Sequence, residues 1–283
     1  MVFLKNIVLP KDKKSAYPYC VPSISDIYNV DFNKITIFAG SNGSGKSTLL
    51  NAIAEKVDAQ KSLGNKSGSF QWFVDHCKCK FSLDENYQLI APVCTKLIKS
   101  EDIMESIINV RKGNERIDKQ SSYGKEFADS EADKFGYSEE AGAGKRDEDL
   151  TNAQRFMRSR LSDYEKFRRL ENMRKQEYSN GESSIQYFTE TMLEENSLYL
   201  LDEPENSLAP ALQFELMKYI EDSARFFNCQ FIIATHSPFL LSVKGSKIYD
   251  LDKLPVKICN WYELENMKLY AKLFFEYETK FDL

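Results

Sequence analysis

The sequence predicts an α/β fold with a mostly parallel central sheet. In its second half, buried strands over 198–201, 230–234 and 247–251 alternate with an amphipathic helix over 212–226. Near the start, an apolar run over 35–38 passes through a glycine-rich turn into a helical pattern. Alternation of strands and helices is typical of parallel sheets, because each crossover between parallel strands needs a long connection.

The composition is that of a soluble globular protein. The 283 residues suffice for one large α/β domain or two small ones, and 42% are hydrophobic while 29% are charged. The formal net charge of −5 means that a nucleic-acid contact would need a local basic patch. No apolar run approaches the ~20 residues of a membrane helix, and the first residues lack the order of a secretory signal. We therefore expect a cytoplasmic protein without membrane insertion, whose six cysteines are free thiols.

The first hundred residues predict an opening strand over 2–10, an ordered loop around Tyr17-Pro18-Tyr19, and β structure over 70–98. An aromatic side chain of that loop either stacks on an adenine base or packs into the core, and the sequence leaves both open. His76-Cys77-Lys78-Cys79 is the one cluster that resembles a metal site. No second Cys/His pair follows it at finger spacing, so buried strand cysteines are the favoured interpretation.

The turn after the strand over 35–38 carries a phosphate-binding pattern. Gly40 to Ser47 reads G-x-x-x-x-G-K-S between a strand and a helix, which is the context that a P-loop requires. Its glycines let backbone N–H groups face an anion, and the helix adds its positive N-terminal end. We expect Lys46 to reach the β- and γ-phosphates of a nucleotide and Ser47 to bind Mg²⁺. The predicted binding residues are Ser41, Asn42, Gly43, Ser44, Gly45, Lys46, Ser47 and Thr48.

The middle of the chain changes in composition. A helix is predicted from Ser100 to Arg111. Residues 124–150 contain nine acidic residues and four basic ones, which predicts a flexible acidic surface loop. A basic amphipathic helix is predicted over 153–176. Its charged face is either simply solvated or a contact for phosphate, nucleic acid or an acidic partner.

Three chemically distinctive positions directly follow predicted strands. Gly40, Asp202 and His236 come just after the apolar runs over 35–38, 198–201 and 230–234. In a parallel sheet the carboxyl ends of the strands meet at one edge, where ligands bind. The sequence therefore predicts one site that contains all three positions.

Four motifs in fixed order resemble those of the ABC-type ATPases. They are the P-loop at 40–47, Ser179-Asn180-Gly181-Glu182, Asp202-Glu203-Pro204, and Thr235-His236-Ser237. More narrowly, the chain is similar to stand-alone bacterial AAA-type ATP-binding proteins whose domains resemble SMC and RecF heads. The resemblance implies one P-loop NTPase domain over 1–283 of ABC-ATPase type, with an antiparallel β subdomain. It also implies a helical lid over 100–190 that carries the signature motif.

The resemblance also assigns roles. ATP and Mg²⁺ would be the cofactors, with Ser47 and Asp202 holding the metal. Lys46, Glu203 and His236 would be the catalytic residues, as phosphate ligand, general base and γ-phosphate sensor. The signature residues Ser179, Gly181 and Glu182 would contact the nucleotide of a second subunit, so that ATP joins a homodimer. The loop over 206–208 would cross the dimer axis.

At two places the sequence departs from the family pattern, and there the family's residue roles cannot be assigned directly. The signature Tyr178-Ser-Asn-Gly-Glu differs from the Leu-Ser-Gly-Gly-Gln that is usual in transporters. The glutamine that bridges Mg²⁺ and water has no clear counterpart: Gln71 and Gln88 are candidates by type, and the segment at Ser100-Glu101 by place.

Three functions remain in competition. The first is a dimerising ATPase that regulates an unknown protein partner or a nucleic-acid process, such as phage defence or DNA maintenance. The second is a transporter subunit, and the third is an ATP-gated sensor with little turnover.

Overall fold

The computed structural model describes residues 1–11, 17–60, 68–106, 108–109, 112, 180–192 and 194–280. The chain forms two compact units, one of Met1–Met104 with Ser179–Leu283 and one of Glu105–Tyr178. The predicted acidic loop, the basic helix and most of the predicted lid lie outside the described residues. The single-domain boundary of 1–283 and the lid over 100–190 therefore stay predictions.

A six-stranded sheet forms the centre of the first unit. Its strand order is β5-β6-β7-β3-β8-β9, and every neighbouring pair is parallel except β8 with β9. The prediction of a mostly parallel central sheet is thus confirmed. The strands are β3 (Ile35–Ala39), β5 (Thr95–Lys99), β6 (Leu198–Asp202), β7 (Gln230–Thr235), β8 (Lys247–Asp250) and β9 (Lys257–Cys259).

A second, antiparallel sheet has three strands in the order β2-β1-β4. They are β1 (Leu4–Val8), β2 (Asn29–Asp31) and β4 (Lys78–Phe81), which confirms the predicted antiparallel β part. Gln230 joins this sheet to the larger one. Its Oε1 accepts hydrogen bonds from the backbone N–H groups of Phe3 and Leu4 at 2.8 and 2.9 Å. Its Nε2 donates to the carbonyl oxygens of Leu4 and Asn33 at 2.8 and 3.1 Å.

Seven helices lie between or after these strands in the part of the chain that the structure describes. They are α1 (Pro22–Asp26), α2 (Lys46–Lys56), α3 (Gly68–His76), α4 (Asn180–Thr191), α5 (Pro210–Phe226), α6 (Pro238–Leu241) and α7 (Glu265–Glu276). Residues 100–106 are also helical, and 3₁₀ turns cover Pro204–Ser207, Trp261–Glu263 and Glu278–Lys280. Proline opens α1, α5 and α6, where its missing N–H costs no helical hydrogen bond. In the part of the chain that the structure describes, no helix has the length and apolar character to cross a bilayer.

The prediction of β structure over 70–98 is wrong at its start. Phe73 and Val74 lie in α3, where both are buried, and only Lys78–Phe81 and Thr95–Lys99 form strands. Phe70, Phe73, Val74 and Cys77 are spaced as the apolar face of a helix, and they pack on the core that contains α2. Aromatic and β-branched residue types favoured a strand, but burial of this face decides the conformation.

Candidate functional site

The P-loop connects β3 to α2 and is fixed from α1. Gly43 and Gly45 have φ values of 84° and 100°, a left-handed conformation that glycine adopts without steric cost. A Cβ atom on Gly45 would lie 2.7 Å from the Ser23 hydroxyl oxygen and 2.9 Å from a methyl group of Val21. The Ser23 hydroxyl donates to the carbonyl oxygen of Ser44. The loop therefore needs glycine at 45 for two reasons, its backbone angle and its contact with α1.

Lys46 begins α2 and turns its side chain back into the loop. Its Nζ donates to the carbonyl oxygens of Gly40 and Ser41 at 2.9 and 3.0 Å, and lies 3.5 Å from Oε1 of Glu203. Only 3% of the side chain is exposed. The ammonium group is thus held between the loop and the predicted general base.

Ser47 and Asp202, the two predicted metal ligands, are in direct contact. The Ser47 hydroxyl donates to Oδ1 of Asp202 at 2.8 Å. Burial at the end of β6 raises the pKa of Asp202, while the Ser47 hydrogen bond and the charge of Lys99 act in the opposite direction. A hydroxyl and a carboxylate are hard oxygen ligands of the kind that Mg²⁺ prefers, so these two residues fit the expected ion.

Glu203 follows Asp202 in an unusual backbone conformation. Its φ and ψ are 47° and 53°, which is rare outside glycine and typical of functional sites. Asn206 donates to its Oε2 at 3.0 Å. Partial burial alone would raise the pKa of Glu203, but the Asn206 hydrogen bond and the charge of Lys46 outweigh it and lower the pKa. The side chain is therefore a carboxylate at neutral pH, the form that a general base requires.

His236 directly follows β7, which neighbours both β3 and β6 in the sheet. Its backbone N–H donates to Oε1 of Glu205 at 2.8 Å, and its imidazole Nδ1 lies 3.3 Å from the same oxygen. The imidazole is 44% exposed. Its positive form also contributes to the lowered pKa of Glu203.

The predicted convergence at the carboxyl edge of the sheet is thus present in the structure. Lys46, Ser47, Asp202 and Glu203 are joined by direct contacts, and His236 lies at the end of the adjacent strand. For the signature motif, the described part of the chain gives no side-chain contacts with the site. Ser179 lies outside the described residues, and Gly181 and Glu182 are placed only by their backbone in the first turn of α4.

The two tyrosines of the loop before α1 have different surroundings. Tyr19 is buried, with its ring 5.4 Å from that of Phe73 in an edge-on arrangement. Tyr17 is 44% exposed, and its hydroxyl donates to Oγ1 of Thr48 at 3.2 Å. Of the two interpretations, core packing describes Tyr19, while Tyr17 is the aromatic residue beside the P-loop helix.

The three candidates for the role of the bridging glutamine lie at different places relative to the site. Gln71 donates to Asp75 on its own helix, and Gln88 lies in the exposed turn around Asp84. Ser100 follows β5, whose last residue pairs with Asp202, and its hydroxyl lies 3.5 Å from Nδ2 of Asn206. The structure therefore places the segment at Ser100, rather than either glutamine, beside the site.

Two contacts of the site were not predicted. Asp252 accepts hydrogen bonds from the Ser41 N–H at 2.8 and 2.9 Å and from the Ser41 hydroxyl at 2.7 Å. No local pattern marks this aspartate, because it reaches the P-loop only through the pairing of β8 with β3. The second is the contact of Glu205 with the segment that follows β7. Its one sequence signal is an acidic residue two positions after the acid pair.

The cysteine cluster shows the features of buried thiols. Cys77 is buried beside β4, and Cys79 lies within that strand. Burial raises the pKa of Cys77 to about 12 and that of Cys79 to about 11, so both are protonated at neutral pH. Metal ligands must be thiolates. Among the described residues, no group of three metal-binding side chains comes together.

The sequence matches a known protein family over most of its length. Residues 62–242, well over half of the chain, match the family described as "AAA domain, putative AbiEii toxin, Type IV TA system". The chain belongs to this AAA-domain family. The matched range begins after the P-loop and includes the acid pair Asp202-Glu203 and His236. The predicted resemblance to AAA-type, ABC-like P-loop ATPases is confirmed.

Solved structures give matches of low identity. A nucleotide-free ATP-binding cassette from an ABC transporter is 14% identical, with a TM-score of 0.42 and coverage of 96% of each chain. The Smc head domain from Pyrococcus furiosus, with an extended coiled coil and bound to a ScpA domain, is 11% identical. Its TM-score is 0.41, with coverage of 96% of this chain and 100% of that one. The SMC head domain from Thermotoga maritima is 14% identical, with a TM-score of 0.38 and coverage of 91% and 98%. No curated protein matches the sequence.

Proposed function

We propose that this AAA-family domain hydrolyses ATP with Mg²⁺ and that hydrolysis is coupled to dimerisation. One observation carries the first half of the proposal. The lysine of the P-loop lies 3.5 Å from a carboxylate of lowered pKa, and the adjacent serine is hydrogen-bonded to the preceding aspartate. Phosphate ligand, metal ligands and base are therefore in contact within one site, as in-line phosphoryl transfer requires.

Each residue has a role in the proposed reaction. Lys46 and the P-loop N–H groups bind the β- and γ-phosphates. Ser47 and Asp202 would hold Mg²⁺, which would supply positive charge beside the phosphate oxygens. Glu203 orients the attacking water and accepts its proton, and His236 contacts the γ-phosphate. Little covalent chemistry is asked of the protein, so its contribution is position and charge.

The dimer is the second half of the proposal. The turn over 206–208 begins three residues after Glu203 and would cross the dimer axis. Ser179, Gly181 and Glu182 would complete the nucleotide site of the other subunit. The output would be a change in a protein partner or a nucleic-acid process. The family is described by a toxin of a toxin–antitoxin system, which agrees with regulated action on a partner.

A phosphate-release assay tests the enzymatic half. With ATP and Mg²⁺ in excess, Lys46→Ala should lose about 10²-fold or more of the turnover, since it removes a charge that stabilises the transition state. Lys56→Ala is the matched control, because Lys56 ends the same helix and its Nζ donates to the carbonyl oxygen of Asp75, away from the P-loop. Equal release by the wild type and Lys46→Ala would reject hydrolysis. Retained ATP binding in that case would favour the ATP-gated sensor.

A second measurement separates the regulator from the transporter subunit. The chain is purified from its own cells with ATP bound, and the proteins that accompany it are identified. Recovery of an integral membrane partner would favour the transporter. Recovery of a partner without membrane segments, or of nucleic acid, supports the regulator.

A further inference from the structure

Glu205 makes an unusual set of contacts behind the predicted γ-phosphate sensor. Its Oε1 accepts hydrogen bonds from the Thr235 hydroxyl at 2.6 Å and from the backbone N–H groups of His236 and Ser237 at 2.8 and 3.2 Å. Imidazole Nδ1 of His236 lies 3.3 Å from the same oxygen. Glu205 is only 5% exposed. One carboxylate oxygen thus holds three consecutive residues at the end of β7.

The contact with Nδ1 also selects a tautomer. At 3.3 Å the two atoms make a close polar contact rather than an aligned hydrogen bond; a carboxyl oxygen repels a nitrogen lone pair and attracts an N–H, so the contact favours the proton on Nδ1. In a histidine, the partner of one ring nitrogen sets the state of the other. The contact therefore favours the neutral imidazole in which Nε2 is left for a ligand, while the backbone hydrogen bonds to Glu205 hold the main chain of His236.

The same short turn also touches the predicted general base. Glu205 and Asn206 are neighbours in the 3₁₀ turn Pro204–Ser207, and Asn206 donates to Oε2 of Glu203. Gln213 links the end of this turn to the segment after β7. Its Nε2 donates to the carbonyl oxygen of Leu208 at 2.9 Å, and its Oε1 accepts from the Ser237 hydroxyl at 2.6 Å. A shift of this turn would therefore move the base and the histidine together.

We propose that Glu205 is a positioning residue, which sets His236 in its Nδ1-protonated form and couples its placement to that of Glu203. The inference rests on the proposed ATP hydrolysis for its consequence but not for its geometry. The second oxygen of Glu205, Oε2, is buried without a hydrogen-bond partner in the described part of the chain. Within the described ranges, the carboxylate therefore accepts hydrogen bonds from Thr235, His236 and Ser237 alone.

Histidine NMR tests the geometric part without any need for turnover. The chain has only two histidines, so ¹⁵N-imidazole signals of His236 can be assigned by comparison with a His76→Gln variant. At about pH 8.5, where an ordinary imidazole is neutral, wild-type His236 should carry its proton on Nδ1. In Glu205→Ala the proton should move to Nε2 or be shared. A wild-type His236 with the proton on Nε2 would overturn the proposal outright.

Glu205→Gln is the conservative variant. The amide oxygen can take the place of Oε1 and keep its donors, whereas the NH₂ group falls at the partnerless Oε2 position. The Nδ1-protonated tautomer should therefore survive in Glu205→Gln, and its loss there would contradict the contact. Glu215→Gln is the control, because Glu215 lies exposed on α5. It should leave the His236 signals unchanged.

Kinetics test the consequence. A misplacement of about 1 Å at a reacting centre can lower the rate about 10²-fold, so Glu205→Ala should lose about that factor in kcat. Its KM for ATP should stay within about twofold, because the phosphate ligands are untouched. Glu205→Gln should recover at least about tenfold of the loss. An equal loss in both variants, or a loss confined to KM, would reject a positioning role.

The two proposals fail in different ways. A wild-type protein without Lys46-dependent phosphate release would reject the proposed hydrolysis, while the NMR comparison would still decide whether Glu205 sets the tautomer of His236. A wild-type protein that hydrolyses ATP, with no change of tautomer in Glu205→Ala, would reject the inference alone. Thermal melting shows whether Glu205→Ala keeps its fold; where it does not, the spectra of Glu205→Gln and of the wild type decide, and the wild-type spectrum alone decides where neither variant folds.

Discussion

At the scale of single residues, the site depends on three positions with left-handed backbone, Gly43, Gly45 and Glu203. Glu203 occupies this conformation without being glycine, which costs of order 1–3 kcal/mol and persists only where neighbours fix it. Its N–H donates to the carbonyl oxygen of Ala234 at 2.9 Å, and its side chain is held by Asn206. These contacts aim the carboxylate at Lys46. Gly45, in the P-loop, uses the same region without strain.

Gly45→Ala should therefore damage both stability and nucleotide binding. A left-handed alanine costs roughly 1–2 kcal/mol. The contacts of its Cβ with Ser23 and Val21 should add about 1–3 kcal/mol of overpacking. Gly245→Ala is the matched control, because Gly245 has a φ of 72° but open space around the Cβ position. It should lose only the first amount in urea unfolding and keep full ATP affinity. Equal losses in the two variants would mean that α1 does not fix the loop.

At the scale of elements, the two sheets are joined by the side chain of Gln230. Its four hydrogen bonds satisfy backbone groups of β1 and of the chain beside it, at the N-terminal edge of β7. All are in or near the protein interior, where an unpaired donor or acceptor is costly. The amide is suited to this position because it is both donor and acceptor.

Gln230→Ala should accordingly lower the free energy of unfolding by about 3 kcal/mol or more, since several buried backbone groups lose their partners. Gln88→Ala is the control, because Gln88 lies exposed in the turn around Asp84. It should stay within about 0.5 kcal/mol of the wild type. The comparison is made by urea unfolding at constant m-value. A loss below about 1 kcal/mol in Gln230→Ala would show that the sheets do not depend on this side chain.

The elements also show what the sequence could and could not predict. The P-loop and the strands that precede Asp202 and His236 were predictable, because buried parallel strands are apolar runs that end in polar residues. Helix α3 was not, because its aromatic residues favour strands until their helical spacing is counted. The hydrogen-bond partners of Glu205 and Asp252 could not be predicted either, because these contacts depend on which strands become neighbours in the sheet.

At the scale of the whole molecule, the site is assembled from distant parts of the chain. Three adjacent parallel strands lead into it: β3 into the P-loop, β6 into the acid pair and β7 into His236, although about 195 residues separate Gly40 from His236. Lys46 and Glu203 already face each other within one subunit. What the described residues do not supply is the contact expected from the signature motif. The proposed dimer gives that motif its role.

Glu203→Gln should trap this dimer. The amide keeps the shape of the side chain and the ability to accept from Asn206 or Lys46, but it cannot take a proton from water. ATP would then remain bound between two subunits instead of being hydrolysed. With saturating ATP and Mg²⁺, size-exclusion chromatography with light scattering should give twice the mass of the single chain. The double variant Lys46→Ala/Glu203→Gln should stay monomeric, because the phosphates lose their main ligand. A monomeric Glu203→Gln that has ATP bound would contradict the paired arrangement and leave hydrolysis within a single subunit.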